Sequence, residues 1–111
     1  MQIKEQRHGA VTVISPQGPV CTTDAEQFQA SALDVLGKTM GRLAVDLSAT
    51  PYVDSMGLEA LVAVTEILAQ SGRVLKLCGA CETIREILEL TGLSDHFDHY
   101  ADVNSAVRSF L

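Results

Sequence analysis

At 111 residues, 47% hydrophobic and 20% charged, the sequence suits one domain with a real core and is unlike a disordered chain. No run approaches the roughly 18–20 apolar residues of a membrane span, and the polar, alternating start Met1 to His8 is unlike a signal peptide, so a cytoplasmic protein is expected. The net charge is -6 and its eight basic residues are scattered, which argues against nucleic acid or anionic lipid as a direct partner and for another protein.

Gln2 to Arg7 alternates weakly, His8-Gly9 reads as a turn, and Ala10 to Ser15 carries the β-branched run Val11, Thr12, Val13, Ile14. Two strands around Gly9 make a hairpin, which Pro16, Gly18 and Pro19 should stop. A first helix is expected from Thr23, with Thr23 and Glu26 as a capping box. Its apolar face would be Ala25, Phe28, Ala32, Val35 or Leu36, and Met40, with Gly41 ending it.

Arg42 to Leu47 reads as a buried strand. Pro51 marks a loop, and Asp54-Ser55-Met56-Gly57 leads into a second helix with Leu58, Leu61, Val62, Thr65, Leu68 and Ala69 inward. Ser71-Gly72 closes that helix and Arg73 to Cys78 is the next strand. Ile84, Ile87, Leu88 and Thr91 define a third helix that Gly92 terminates. A strand over Phe97 to Tyr100 and a last helix capped by Asp102, with Val103, Ala106, Val107 and Phe110 inward, complete the chain.

The order β-β-α-β-α-β-α-β-α with short connections predicts one α/β domain over residues 1–111. Its sheet should be largely parallel, with the hairpin at one edge and four helices on the flanks.

The stretch Leu43-Ala-Val-Asp-Leu-Ser-Ala-Thr-Pro-Tyr-Val-Asp-Ser-Met-Gly-Leu resembles the STAS domain of anti-sigma factor antagonists and of sulfate-transporter tails. The early hairpin, the strand end Asp46-Leu47-Ser48, the Asp54-Ser55-x-Gly57-Leu58 helix start and Thr91-Gly92-Leu93 extend the resemblance over essentially the whole chain. It implies a STAS-like fold and a non-enzymatic anti-sigma factor antagonist. Its partners would be an anti-sigma factor that is also a serine kinase and a phosphatase that resets the system.

The resemblance makes Ser55 the phosphorylated residue and sets Asp46, Asp54, Met56, Gly57 and the Cys21 loop in the binding face. Two positions depart from the family pattern. Met56 stands where many members have a second hydroxyl, and Gly18-Pro19-Val20-Cys21 stands where many have Gly-x-Leu-Asp. An adaptor subunit of a transporter or signalling assembly, without phosphorylation, is the alternative within the family.

On its own chemistry Ser55 is also a candidate N-cap, its hydroxyl accepting a free amide of the helix start. Asp46 should hold a strand end and Asp54 shape the loop, rather than form a catalytic pair. Gly57 permits either a tight helix start or close approach of a partner. Met56 either faces a partner or folds onto the core.

Cys78-Gly79-Ala80-Cys81 between a strand and a helix is the one pattern that points to an enzyme, a dithiol redox protein. The competing reading makes Cys78 a small buried hydrophobe. His96, His99, Cys21 and His8 show no ligand spacing for a metal, and no cofactor loop is present.

Overall fold

The computed structural model describes all 111 residues. Strands β1 (Gln2–His8) and β2 (Val11–Gln17) form the opening hairpin. There follow α1 (Thr23–Thr39), β3 (Leu43–Asp46), α2 (Ser55–Ala69), β4 (Leu75–Cys78), α3 (Glu82–Leu90), a single 3₁₀ turn over Ser94–His96, β5 (Phe97–Tyr100) and α4 (Val103–Arg108). The sheet order is β1-β2-β3-β4-β5, antiparallel at the first pair and parallel from β2 onward.

That order explains where the helices lie. Each parallel connection steps one strand in the same direction, and right-handed crossovers then stack α1, α2 and α3 on one face. Ile14, Leu43, Val45, Leu75, Leu77 and Phe97 point to that face and join Phe28, Ala32, Leu61, Val64, Ile84 and Leu88 in the main core. The alternate residues Val13, Ala44 and Cys78 point the other way and meet Ala106 of α4, flanked by Val103, Val107 and Phe110.

The buried Thr65 hydroxyl is satisfied where the elements join, whereas His8 Nε2 is buried without a partner. Thr65 of α2 accepts the Leu75 amide at 2.9 Å and donates to the His96 carbonyl at 2.7 Å. Helix α3 ends as its sequence suggests: Gly92 takes φ 73°, and the Leu93 amide reaches back to the Leu88 carbonyl at 2.8 Å. Asp102 caps α4 by accepting the Ser105 amide at 2.8 Å, a bond that holds its carboxyl below the usual carboxylate range.

Several local expectations give way. Strand β2 continues through Pro16, which pairs with Ile3; pairing with β3 ends at Ile14, so the missing N–H falls where β2 has one neighbour. No capping box forms at α1, whose N-cap is Thr22 with no side-chain bond to the helix. Both Val35 and Leu36 are buried, but Met40 adopts a left-handed conformation that ends the helix and leaves its side chain 75% exposed. On α2 the buried stripe is Gly57, Ala60, Leu61, Val64, Thr65 and Leu68, so Leu58 and Val62 are half-buried and Ala69 is exposed.

Candidate functional site

The carboxyl ends of β2 and β3 each continue into a loop, and the two loops are zipped together. Val20 and Val53 form an isolated parallel bridge. The Val20 amide donates to the Tyr52 carbonyl at 3.2 Å, and the Asp54 amide donates to the Val20 carbonyl at 3.3 Å. This brings Cys21, Tyr52, Asp54 and the start of α2 to one end of the sheet.

Asp54 is the knot. Its Oδ1 accepts the Gly57 amide at 2.8 Å and its Oδ2 accepts the Thr22 amide at 3.0 Å. One carboxylate thus caps α2 and pins the other loop, where Thr22 holds a left-handed φ of 51°. The N-cap is therefore Asp54 and not Ser55. The Leu58 amide, which a Ser55 cap would need, is already donated to the Asp54 carbonyl at 2.9 Å, and the Thr22 amide adds a second bond that favours Asp54.

Ser55 is left as the first residue of α2, exposed and without a side-chain hydrogen bond. Met56 is next to it and 41% exposed, which settles its direction as outward. Tyr52, 46% exposed, lies on the same loop with its hydroxyl 3.7 Å from the Cys21 thiol. That thiol, with Asp54 contributing, holds the Tyr52 phenol above its usual range. Tyr52 was not singled out by sequence; an aromatic directly after Pro51 in a polar loop was the available signal.

Gly57 is buried, not on the surface. A Cβ there would sit well inside contact distance of the Val20 carbonyl oxygen, so the close approach it permits is by its own chain. Asp46 is half-buried and fully engaged, accepting the Ser48 amide at 3.0 Å and the Ser15 hydroxyl at 3.3 Å. It fixes the turn after β3, as a strand-end aspartate does.

The two cysteines of Cys78-Gly79-Ala80-Cys81 do not work as a pair. Cys78 is wholly buried with its thiol donating to the Val45 carbonyl at 3.6 Å, and burial, with Asp46 and Asp102, pushes that thiol up to about 12. Cys81 is half-buried and donates to the Pro51 carbonyl at 3.4 Å. A thiol held protonated in the core is no nucleophile, which removes the dithiol alternative. His99 is occupied with the Ser94 carbonyl at 2.8 Å, and no three His, Cys, Asp or Glu side chains converge on a common point. No helix is long and apolar enough to cross a membrane.

The family model of the STAS domain matches residues 2–106. The chain belongs to the STAS domain family. BtrV of Bordetella bronchiseptica, provisionally named an anti-sigma factor antagonist, is 28% identical over 97 residues, 87% of this chain and 84% of that protein. The structure of an anti-sigma factor antagonist (STAS) domain protein from Planctomyces limnophilus superposes with a TM-score of 0.79 at 26% identity, covering 96% of each chain. The Bacillus cell fate determinant SpoIIAA in its phosphorylated form gives a TM-score of 0.73 at 16% identity, over 99% of this chain and 100% of that one. The STAS fold read from the sequence is the fold observed.

Proposed function

We propose that this STAS domain is an anti-sigma factor antagonist that binds a kinase-type anti-sigma factor through the surface around Ser55. Phosphorylation of Ser55 ends the complex and a phosphatase restores it. The observation that carries this reading is the division of labour at the start of α2. Asp54 supplies the cap, so the Ser55 hydroxyl is exposed and free for transfer. The kinship with BtrV and the SpoIIAA fold, which exists in a phosphorylated form, support it.

The switch follows from local electrostatics. A phosphate adds roughly 1.5–2 negative charges. It would stand beside Asp54, whose two oxygens are already committed, and α2 and its preceding loop contain no Lys or Arg. The free amides of the first helical turn stabilise the phosphate while it is solvated. Covering it with a partner would strip its water without supplying a counter-charge from this chain.

Tyr52, Met56 and Cys21 supply the adaptable, partly apolar contact area next to the switch. The protein acts by binding and catalyses nothing itself. Calorimetric titration of Ser55→Ala and Ser55→Asp against the cognate anti-sigma factor tests the reading. The Ala form should bind as the wild type does, and the Asp form at least about tenfold more weakly. Equal affinities, with no phosphate transferred to the wild type, would move the protein to the adaptor class.

A further inference from the structure

Between α3 and the exposed edge of the sheet lies a cleft of about 380 Å³. It opens at the carboxyl ends of β4 and β5, with Leu77 beneath it and the segments Gly79-Ala80 and Tyr100-Ala101 around it. The volume falls in the lower part of the range for small-molecule sites, roughly 300–1,000 Å³.

The charge of this cleft opposes that of the chain. Acidic residues outnumber Lys and Arg by 14 to 8 overall, yet no carboxylate lines it, while Arg85 and His99 do. Arg85 has Glu82 and Glu89 three and four positions away on its own helix, the spacings at which helical ion pairs form, and pairs with neither. Arg85 lines the cleft, and its exposed side chain makes no hydrogen bond or ion pair within the chain. His99 donates from Nε2 to the Ser94 carbonyl at 2.8 Å, which makes Nδ1 an acceptor and leaves Arg85 as the one cationic donor of the lining.

Two further cavities hold basic side chains, but each also holds a carboxylate: Glu5 beside Arg7 and Lys38 in one, and Asp98 beside Arg73 and Lys76 in the other. In the second, Arg73 is spent on the Met40 carbonyl at 3.1 Å and Lys76 on the Ser109 hydroxyl at 2.7 Å.

We propose that the α3–β5 cleft binds a small organic anion, its carboxylate or phosphate held by Arg85 and its apolar part resting on Ala80 and Tyr100. A planar guanidinium offers two parallel donors to either group, so the shared chemistry is an anionic oxygen pair. Ser55 is not among the lining residues, so the site stands whether or not Ser55 is a phosphorylation switch.

The test uses the full ¹⁵N-labelled chain and three probes with the same ring: benzoate, phenyl phosphate and neutral benzyl alcohol, at constant ionic strength. Saturable amide shifts at Gly79, Ala80 and Ala101 are expected with at least one anion, with a Kd of about 1 mM or tighter. Whichever anion binds more tightly identifies the headgroup. Arg85→Ala should weaken binding at least about tenfold with an otherwise unchanged spectrum, and Arg108→Ala should not. Absence of saturable shifts, equal binding of benzyl alcohol, or unchanged affinity in Arg85→Ala would each overturn the proposal.

Discussion

Asp54 and Gly57 are joined across the first turn of α2 by a 2.8 Å hydrogen bond from the Gly57 amide to Oδ1. Capping is thereby separated from the serine that lies between them, and stability should separate in the same way. Asp54→Ala should cost about 1–2 kcal/mol in urea denaturation, the value of a lost cap. It also frees the Thr22 amide from Oδ2. Ser55→Ala should stay within about 0.5 kcal/mol of the wild type. If the serine variant lost as much as the aspartate variant, the hydroxyl would be capping after all.

Gly57 makes a different prediction, because its neighbour is backbone and cannot step aside. Gly57→Ala drives a methyl group into the Val20 carbonyl and against the Val53 side chain. Overpacking of this kind should cost at least about 2 kcal/mol and displace the Val20–Val53 bridge. Chemical shifts of Val20, Cys21 and Thr22 report the displacement. An alanine variant with wild-type shifts there would show that the two loops are not packed as described.

A charge at Ser55 should act on binding and leave folding nearly untouched. The start of α2 favours it by about 0.3–1 kcal/mol, and the Asp54 carboxylate next to it opposes it. The two effects offset, so Ser55→Asp should melt within about 4 °C of the wild type, less than the shift of a 1 kcal/mol change. Differential scanning calorimetry checks this beside the titrations. A large fall in Tm would mean that lost binding reports unfolding and not a switch.

The helices and strands were legible where a pattern and a stop signal coincided. Phe97 to Tyr100 and the Gly92 helix end are cases, since a short strand and a left-handed C′ residue each leave a local mark. The inward face of α2 was not, because Leu58, Val62 and Ile67 make nearly every side of that helix apolar and periodicity alone cannot choose among them. The cap failed for a related reason: Asp54 and Ser55 are both good N-caps, and the choice depends on the Thr22 amide that arrives from a distant loop. Met40 left the expected stripe because one left-handed residue ends α1 a position early.

The three thiols should divide by reactivity. Cys21 and Cys81 are partly exposed and should be alkylated by iodoacetamide in the native protein, whereas Cys78 should react only on unfolding. Its thiol is pushed from 9.0 up to about 12 by burial. Above the unfolded value the unfolded chain has released this proton and the folded one has kept it, so stability falls as pH rises from about 9 toward 12. The limiting slope from this group is about 1.4 kcal/mol per pH unit. Cys78→Ala should be less stable at neutral pH from the cavity left in the α4 core, yet lose less on going alkaline. Denaturant titrations of both proteins at pH 8 and pH 10 decide it; parallel losses would refute a buried, protonated Cys78.

Because the strand order follows the chain order, the two open edges of the sheet are its first and last strands. Both are poor templates for another chain. β1 sets Lys4, Glu5 and Arg7 along its exposed length, and β5 is four residues long with Asp98 and His99 outward. Charge and shortness at a free edge discourage strand-by-strand growth. The domain is thus guarded against polymerising through its backbone, which leaves encounters with other proteins to its side chains.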